Sequence, residues 1–95
     1  MHYNIEYLPL ADDDLYDIAD YFSQFYPSTL KIFMNTLEEH ISNLQDMPYI
    51  GVEYKNYRRL VVSDFLVFYK VLEDKKLVRI YRIIHGARDS EIQNI

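Results

Sequence analysis

Two amphipathic stretches with almost nothing between them constrain this chain most. Ala11, Leu15, Ile18, Ala19, Phe22 and Phe25 recur at three- and four-residue spacing, one apolar stripe of a helix running from about Leu10 to about Phe25. Leu30, Met34, Leu37, Ile41 and Leu44 repeat the pattern, and Phe33 widens that second stripe. Only Tyr26-Pro27-Ser28 separates the two. A connection that short makes the helices antiparallel neighbours. Pro9 suits the first turn of the first helix. Asp12, Asp13 and Asp14 follow it, where carboxylates complement the helix dipole. Ser28 is placed to cap the second helix, and Asp46-Met47-Pro48 stops it, because the residue before a proline disfavours helix. Asp13, Asp17 and Asp20 fall on the outer face of the first helix.

Past Gly51 the period changes. Tyr57–Val62, Phe65–Leu72 and Leu77–Ile84 are rich in Val, Ile, Tyr and Phe and read as strands, with separators short enough for hairpins. Phe65-Leu66-Val67-Phe68-Tyr69 is apolar at every position, as a central strand covered on both sides would be. At the other end, Tyr3, Ile5 and Tyr7 alternate with polar residues as one face of a short strand. Ala87–Ile95 is a polar tail with room for one helical turn. The order β-α-α-β-β-β predicts an α+β fold, its antiparallel helix hairpin packed on one face of a mainly antiparallel sheet. With 95 residues, 1–95 reads as a single domain.

Composition then removes whole classes of function. The chain has no Cys, so thiolate chemistry and sulfur-built zinc sites are excluded. Its longest uncharged apolar run is the five residues Phe65–Tyr69, far short of a membrane span of about 20. No basic or apolar leader is visible at Met1-His2-Tyr3-Asn4, and the expectation is a cytoplasmic protein with no membrane partner. Residues 1–50 carry nine acids against one base, and residues 51–95 carry nine bases against six acids. Any basic surface therefore comes from the second half, and the first half opposes a phosphate backbone unless it faces away.

Few constellations could carry chemistry. Three histidines occur with no metal-ligand spacing between them, and Asp12–Asp14 reads as a solvated helix face, so no metal and no cofactor are expected. No phosphate loop or nucleophile elbow is present. What remains is a group near the strand ends: Arg58, Arg59, Arg82, His85 and Arg88, with Tyr57, Tyr69 and Tyr81 nearby. Arginines that clamp a phosphate and a histidine that handles a proton are the minimum kit for metal-free RNA cleavage, and tyrosines stack on unpaired bases. The alternative is that the tyrosines are β-formers in a small core and the arginines pair with the acidic helices.

Five pieces, in order, resemble one family. They are Ala11-x-x-x-Leu15-x-x-Ile18-Ala19-x-Tyr21; Leu44-x-x-x-Pro48-x-x-Gly51; Tyr57-Arg58-Arg59-Leu60-Val61-Val62; Phe68-Tyr69-Lys70-Val71; and Ile80-x-Arg82-Ile83-Ile84-His85-Gly86-Ala87-Arg88-Asp89. Together they are similar to the RelE/ParE superfamily of toxins from bacterial type II toxin–antitoxin modules. The resemblance implies one of two activities. RelE-like members are ribosome-dependent endoribonucleases that cut mRNA, whereas ParE-like members poison DNA gyrase and are not known as nucleases. The ribonucleases carry an Arg where this chain has Leu66, and a closing Tyr that is missing from Asp89-Ser90-Glu91-Ile92. The resemblance therefore favours the ParE branch: a growth inhibitor acting on DNA gyrase, of the kind that stabilises plasmids. The alternative is an endoribonuclease on the ribosome with Arg59, His85 and Arg88 as catalytic residues. A third alternative is a toxin without toxicity that only occupies an antitoxin.

The same resemblance implies a cognate antitoxin and a toxin–antitoxin hetero-oligomer. Phe25, Tyr26, Phe33, Tyr49 and Tyr54 lie near the hairpin ends and in the following loop, more aromatics than a small core needs. They are the expected partner-binding residues, since exposed aromatic clusters mark partner sites. The rival expectation is that they are internal and the antitoxin covers the Arg/His group.

Overall fold

Local chemistry starts the first helix where the proline permits. In the computed structural model, which describes residues 2–95, strand β1 (Asn4–Tyr7) runs into helix α1 (Pro9–Phe25). Pro9 fills the first turn, and the N–H groups of Ala11 and Asp12 donate to the Leu8 carbonyl. Helix α2 (Pro27–Asn43) follows after the single residue Tyr26. The expectation of a Ser28 cap fails for a simple reason. Pro27 has the fixed φ that opens a helix, so Ser28 already lies inside the first turn, while Thr29 Oγ1 donates to the Tyr26 carbonyl at 2.8 Å. The hairpin closes with Phe22 stacked on Phe33, ring centroids 4.9 Å apart.

The remaining elements are strands β2 (Val52–Tyr54), β3 (Tyr57–Val62), β4 (Phe65–Leu72) and β5 (Leu77–His85), then a short helix α3 (Asp89–Gln93). They form one sheet in the order β1-β5-β4-β3-β2, antiparallel throughout except for β1 against β5. The apolar run is the central strand. Strand β2 is one more than the sequence pattern foretells, since three residues are too few to display a period. The three hairpin turns each place a non-glycine residue at positive φ, at Lys55, Ser63 and Lys76.

The hairpin packs on one face of this sheet, over Leu60, Val62, Val67, Tyr69, Val78 and Ile80. Tyr3, Ile5 and Tyr7 join that core as their alternation predicts. A register shift between Phe68 and Tyr69 leaves Phe68 opposite Arg82 and Tyr69 opposite Ile80. Tyr81 is the extra residue of this bulge, and Ile83 is thereby returned to the core side.

Glu73, in the turn between β4 and β5, ties three segments together. Its carboxylate accepts from Tyr3 Oη at 2.5 Å, from Lys76 Nζ at 2.8 Å and from Tyr49 Oη. These donors, Lys76 first, hold the carboxyl down at about 2 against an ordinary 4.5. The folded value lies below the unfolded one, so the stabilisation is complete above about 4.5 and is lost as pH falls towards 2. Acid unfolding followed by circular dichroism should show this. The stability difference between the native chain and Glu73→Gln should shrink from pH 5 to pH 2, roughly the window the two values define. A difference that stays constant over that window contradicts it.

Candidate functional site

The pleat decides which side chains can meet. Phe33 of α2 packs on Phe65 at 5.0 Å, so Phe65 faces the helices, and its cross-strand partner His85 faces them too. Arg59 pairs with Phe68, three residues further along β4, and so takes the opposite face.

On that helix-free face the Arg59 guanidinium lies over the Tyr54 ring at 5.2 Å, and Tyr54 packs on Phe68 at 5.6 Å. The Nε of Arg59 is buried with no hydrogen-bond partner among the described residues. Lys70 Nζ sits between Tyr57 at 4.8 Å and Tyr81 at 5.3 Å. The tail returns along this face: Lys55 Nζ, at the β2–β3 turn, donates to the carbonyls of Gln93 and Ile95 at 3.0 and 3.3 Å. Asn94 and Ile95 border a hollow with Tyr57 and Tyr81. Cations backed by aromatic rings suit a phosphate or an unstacked base.

On the helix side, a cleft of about 440 Å³ opens between α1, the Ser63-Asp64 turn and the end of β5. Ile18, Phe22, Phe65 and Ile83 make its floor, and Tyr21 and Tyr26 stand at its rim. His85 and Arg88 line it, together with Asp14, Asp17 and Asp64. The His85 ring meets Phe65 edge-on at 5.1 Å, and its Nδ1 accepts the Ala87 N–H at 3.1 Å. A neutral His85 therefore carries its proton on Nε2. Arg88 is paired with Glu91 at 3.3 Å. Asp14 forms two bonds to Arg82, Oδ2 to Nε at 2.8 Å and Oδ1 to Nη2 at 3.0 Å, which pushes the guanidinium pKa further up.

Of the expected catalytic group, His85 and Arg88 thus share a cleft while Arg59 lies on the other side of the sheet. The expected partner-binding aromatics divide as well. Phe25 is 61% exposed and Tyr26 53%, so Phe25 does not complete the buried stripe of α1. Tyr49 is exposed beneath the Arg58 guanidinium, 4.9 Å from its ring. Tyr54 is half-buried. Phe33 is only 8% exposed, so it is not presented at the surface: it is core, held between Phe22 and Phe65. Two features escape the sequence reading, the inward turn of Asp14 and the exposure of Tyr21. The only signal was spacing, with Tyr21 three residues from Ile18 and four from Phe25. Among the described residues, no three His, Asp or Glu side chains converge as a metal site, and no helix is long and apolar enough to cross a membrane.

Over residues 5–90 the chain matches the family of the ParE toxin of type II toxin–antitoxin system, parDE. No curated protein sequence matches it. Among solved structures it is similar to a chain of the chromosomal ParDE toxin–antitoxin system from P. aeruginosa, with 21% identity and a TM-score of 0.74 over 88% of this chain and 96% of that one. It is similar to a chain of the RelBE2 toxin–antitoxin complex from Mycobacterium tuberculosis, with 17% identity and a TM-score of 0.64 over 90% and 99%. A mutant of E. coli toxin RelE in the free state gives 12% identity and a TM-score of 0.66 over 99% and 93%. These three likenesses are of fold.

Proposed function

Because the chain belongs to the ParE toxin family of type II toxin–antitoxin systems, we propose that it arrests growth by binding DNA gyrase and that a cognate antitoxin neutralises it in a hetero-oligomer. The coarser assignment, a type II toxin of the RelE/ParE superfamily, rests on the family match. One observation carries the binding reading over an RNA-cleaving one. Metal-free cleavage needs a phosphate clamp and a proton-handling group at the same scissile bond. Arg59 faces away from the helices, and although His85 and Arg88 share the cleft on the helix side, Arg88 is paired with Glu91 there and Asp14, Asp17 and Asp64 oppose a phosphate. Leu66, in the position of the ribonucleases' Arg, pairs with Val61 and Ile84 in an apolar patch. Cells expressing the protein should filament and induce a DNA-damage response while bulk mRNA stays intact. The purified protein should inhibit supercoiling by gyrase. Primer extension that shows cuts within translated codons soon after induction overturns this reading.

A second reading, ribosome-dependent RNA cleavage, is favoured by one feature, the basic and tyrosine-lined face around Arg59 and Lys70. In that case Arg59→Ala should abolish the cuts, whereas on the gyrase reading there are none to abolish.

A further inference from the structure

Strand β4 outlasts its neighbour β3. The two-residue turn Ser63-Asp64 makes Val62 and Phe65 a hydrogen-bonded pair. Alternation then aims the N–H and C=O groups of Val67, Tyr69 and Val71 towards β3. The β3–β4 register stops at Arg58 opposite Tyr69, while β4 runs on to Leu72. Val71 therefore turns a donor and an acceptor into a notch of about 330 Å³ beside the Lys55-Asn56 turn. Among the described residues, no backbone hydrogen bond from that turn reaches them. We propose that this notch binds a free nucleotide, the base edge pairing with the Val71 backbone and the phosphate held at Lys70. The site rests on neither the gyrase nor the RNA reading. It lies at the opposite end of β4 from Phe65 and His85, and Arg59 does not line it.

Shape limits the occupant. The volume falls within the range of about 300–1,000 Å³ that small-molecule sites occupy. One residue of open edge is too little for an added peptide strand, which needs a run of main-chain bonds, and the turn Glu73–Lys75 follows directly. A nucleobase needs only that one residue, since adenine presents a donor beside an acceptor on one edge. Aromatic rings border the notch towards both faces of the sheet: Tyr49 beneath the Arg58 guanidinium, and Tyr57 next to Lys70. Either offers a base a face to stack on.

Charge then selects an anion. Lys55, Arg58 and Lys70 line the notch against a single acid, Glu53. Glu53 answers Arg58, 3.6 Å away. Arg58 is also fixed by the carbonyls of Tyr49 and Gly51, which accept from its Nη1 at 3.3 and 2.8 Å. Lys70 is different. Its Nζ lies over the rings of Tyr57 and Tyr81, and none of the ion pairs among the described residues includes it. The rings orient the ammonium without neutralising it, so its charge is left for a phosphate.

AMP tests this on the isotope-labelled full chain at low salt. It should bind saturably and shift the amide resonances of Asn56, Tyr57, Val71 and Leu72. Adenosine, which lacks the phosphate, should bind at least about tenfold more weakly. Ribose phosphate, which lacks the base, should lose about as much. AMP dimethylated on its exocyclic amine keeps the charge and the rings but loses the donor, and should also bind about tenfold more weakly. The dissociation constant for AMP should rise about tenfold in Lys70→Gln, with an unchanged melting temperature confirming the fold. If that variant proves unstable, the ligand series on the native chain decides alone. Equal binding of the dimethylated ligand overturns the proposal, as does equal binding of inorganic phosphate, unchanged affinity in folded Lys70→Gln, or mapping to His85 or Arg59. An RNA oligomer that binds more tightly than AMP and shifts Arg59 as well as Lys70 also overturns it, because the notch is then part of an RNA track. Growth arrest without antitoxin is a separate measurement. If it fails while AMP still binds the notch, the toxin reading falls and this site stands.

Discussion

Gly51→Ala should lower the melting temperature by roughly 8–32 °C, although it adds a single methyl in a loop. A Cβ at Gly51 would lie 2.6 Å from Tyr69 Oη, 2.9 Å from Cε1 and 3.0 Å from Cζ. Tyr69 has no room to retreat. It is fully buried in the central strand, its hydroxyl accepts the Gly51 N–H at 2.9 Å, and it donates to the Pro48 carbonyl at 2.8 Å. Burial also pushes the hydroxyl pKa up, which keeps it a donor. Overpacking of this kind costs about 1–3 kcal/mol, and displacing the hydroxyl from two buried partners adds about 1 kcal/mol or more. A total of about 2–4 kcal/mol, at roughly 4–8 °C per kcal/mol for a domain this small, gives the expected shift. Tyr69→Phe alone should cost about 1–3 kcal/mol by leaving those partners unpaired. The double variant should cost less than the sum, because the closest clashing atom is gone. Strict additivity in thermal melts would mean that the two residues do not touch as described.

What could be read in advance follows from the range of each signal. The helix hairpin was legible because each stripe repeats over several turns, and the central strand because its apolar run is unbroken. Gly51 could be singled out as a motif position, but its reason lies in a tyrosine eighteen residues away. Strand β2 was illegible at three residues. The split between Arg59 and His85 was illegible for a sharper reason. His85 pairs with Phe65 and Arg59 with Phe68. An odd offset along β4 means opposite faces, and only the register reveals an odd offset. Phe33 was visible as part of the α2 stripe and also as a spare aromatic. Burial against Phe22 and Phe65 decides between the two.

Asp14→Ala is expected to be the most costly single change to a charged residue, at about 2–4 kcal/mol. From sequence it is one of three aspartates in a solvated first turn. Yet it stands three residues after Ala11 and four before Ile18, on the flank of the buried stripe. Strand β1 ends at Tyr7, opposite Ile80, so β5 beyond that point has a free edge. Asp14 occupies it: Oδ2 accepts the Ile83 N–H at 2.8 Å and the Arg82 Nε at 2.8 Å. The Asp14 side chain is 14% exposed and that of Arg82 26%. Truncation leaves an unpaired edge N–H and a poorly hydrated guanidinium with only Glu91, 3.4 Å away, to answer it. The full penalty for breaking a buried pair is about 3–5 kcal/mol, and partial exposure with the surviving Glu91 contact brings it down. Asp13→Ala, one residue away and exposed, should change stability by no more than about 0.5 kcal/mol. Asp14→Asn retains an acceptor for Ile83 and should fall between the two. Asp14→Ala/Arg82→Met should recover part of the loss, because no stranded charge remains. Chemical denaturation of the four variants measures this order directly. If Asp14→Ala proves no worse than Asp13→Ala, Asp14 does not hold the open edge of β5, and α1 is fixed to the sheet by its apolar stripe alone.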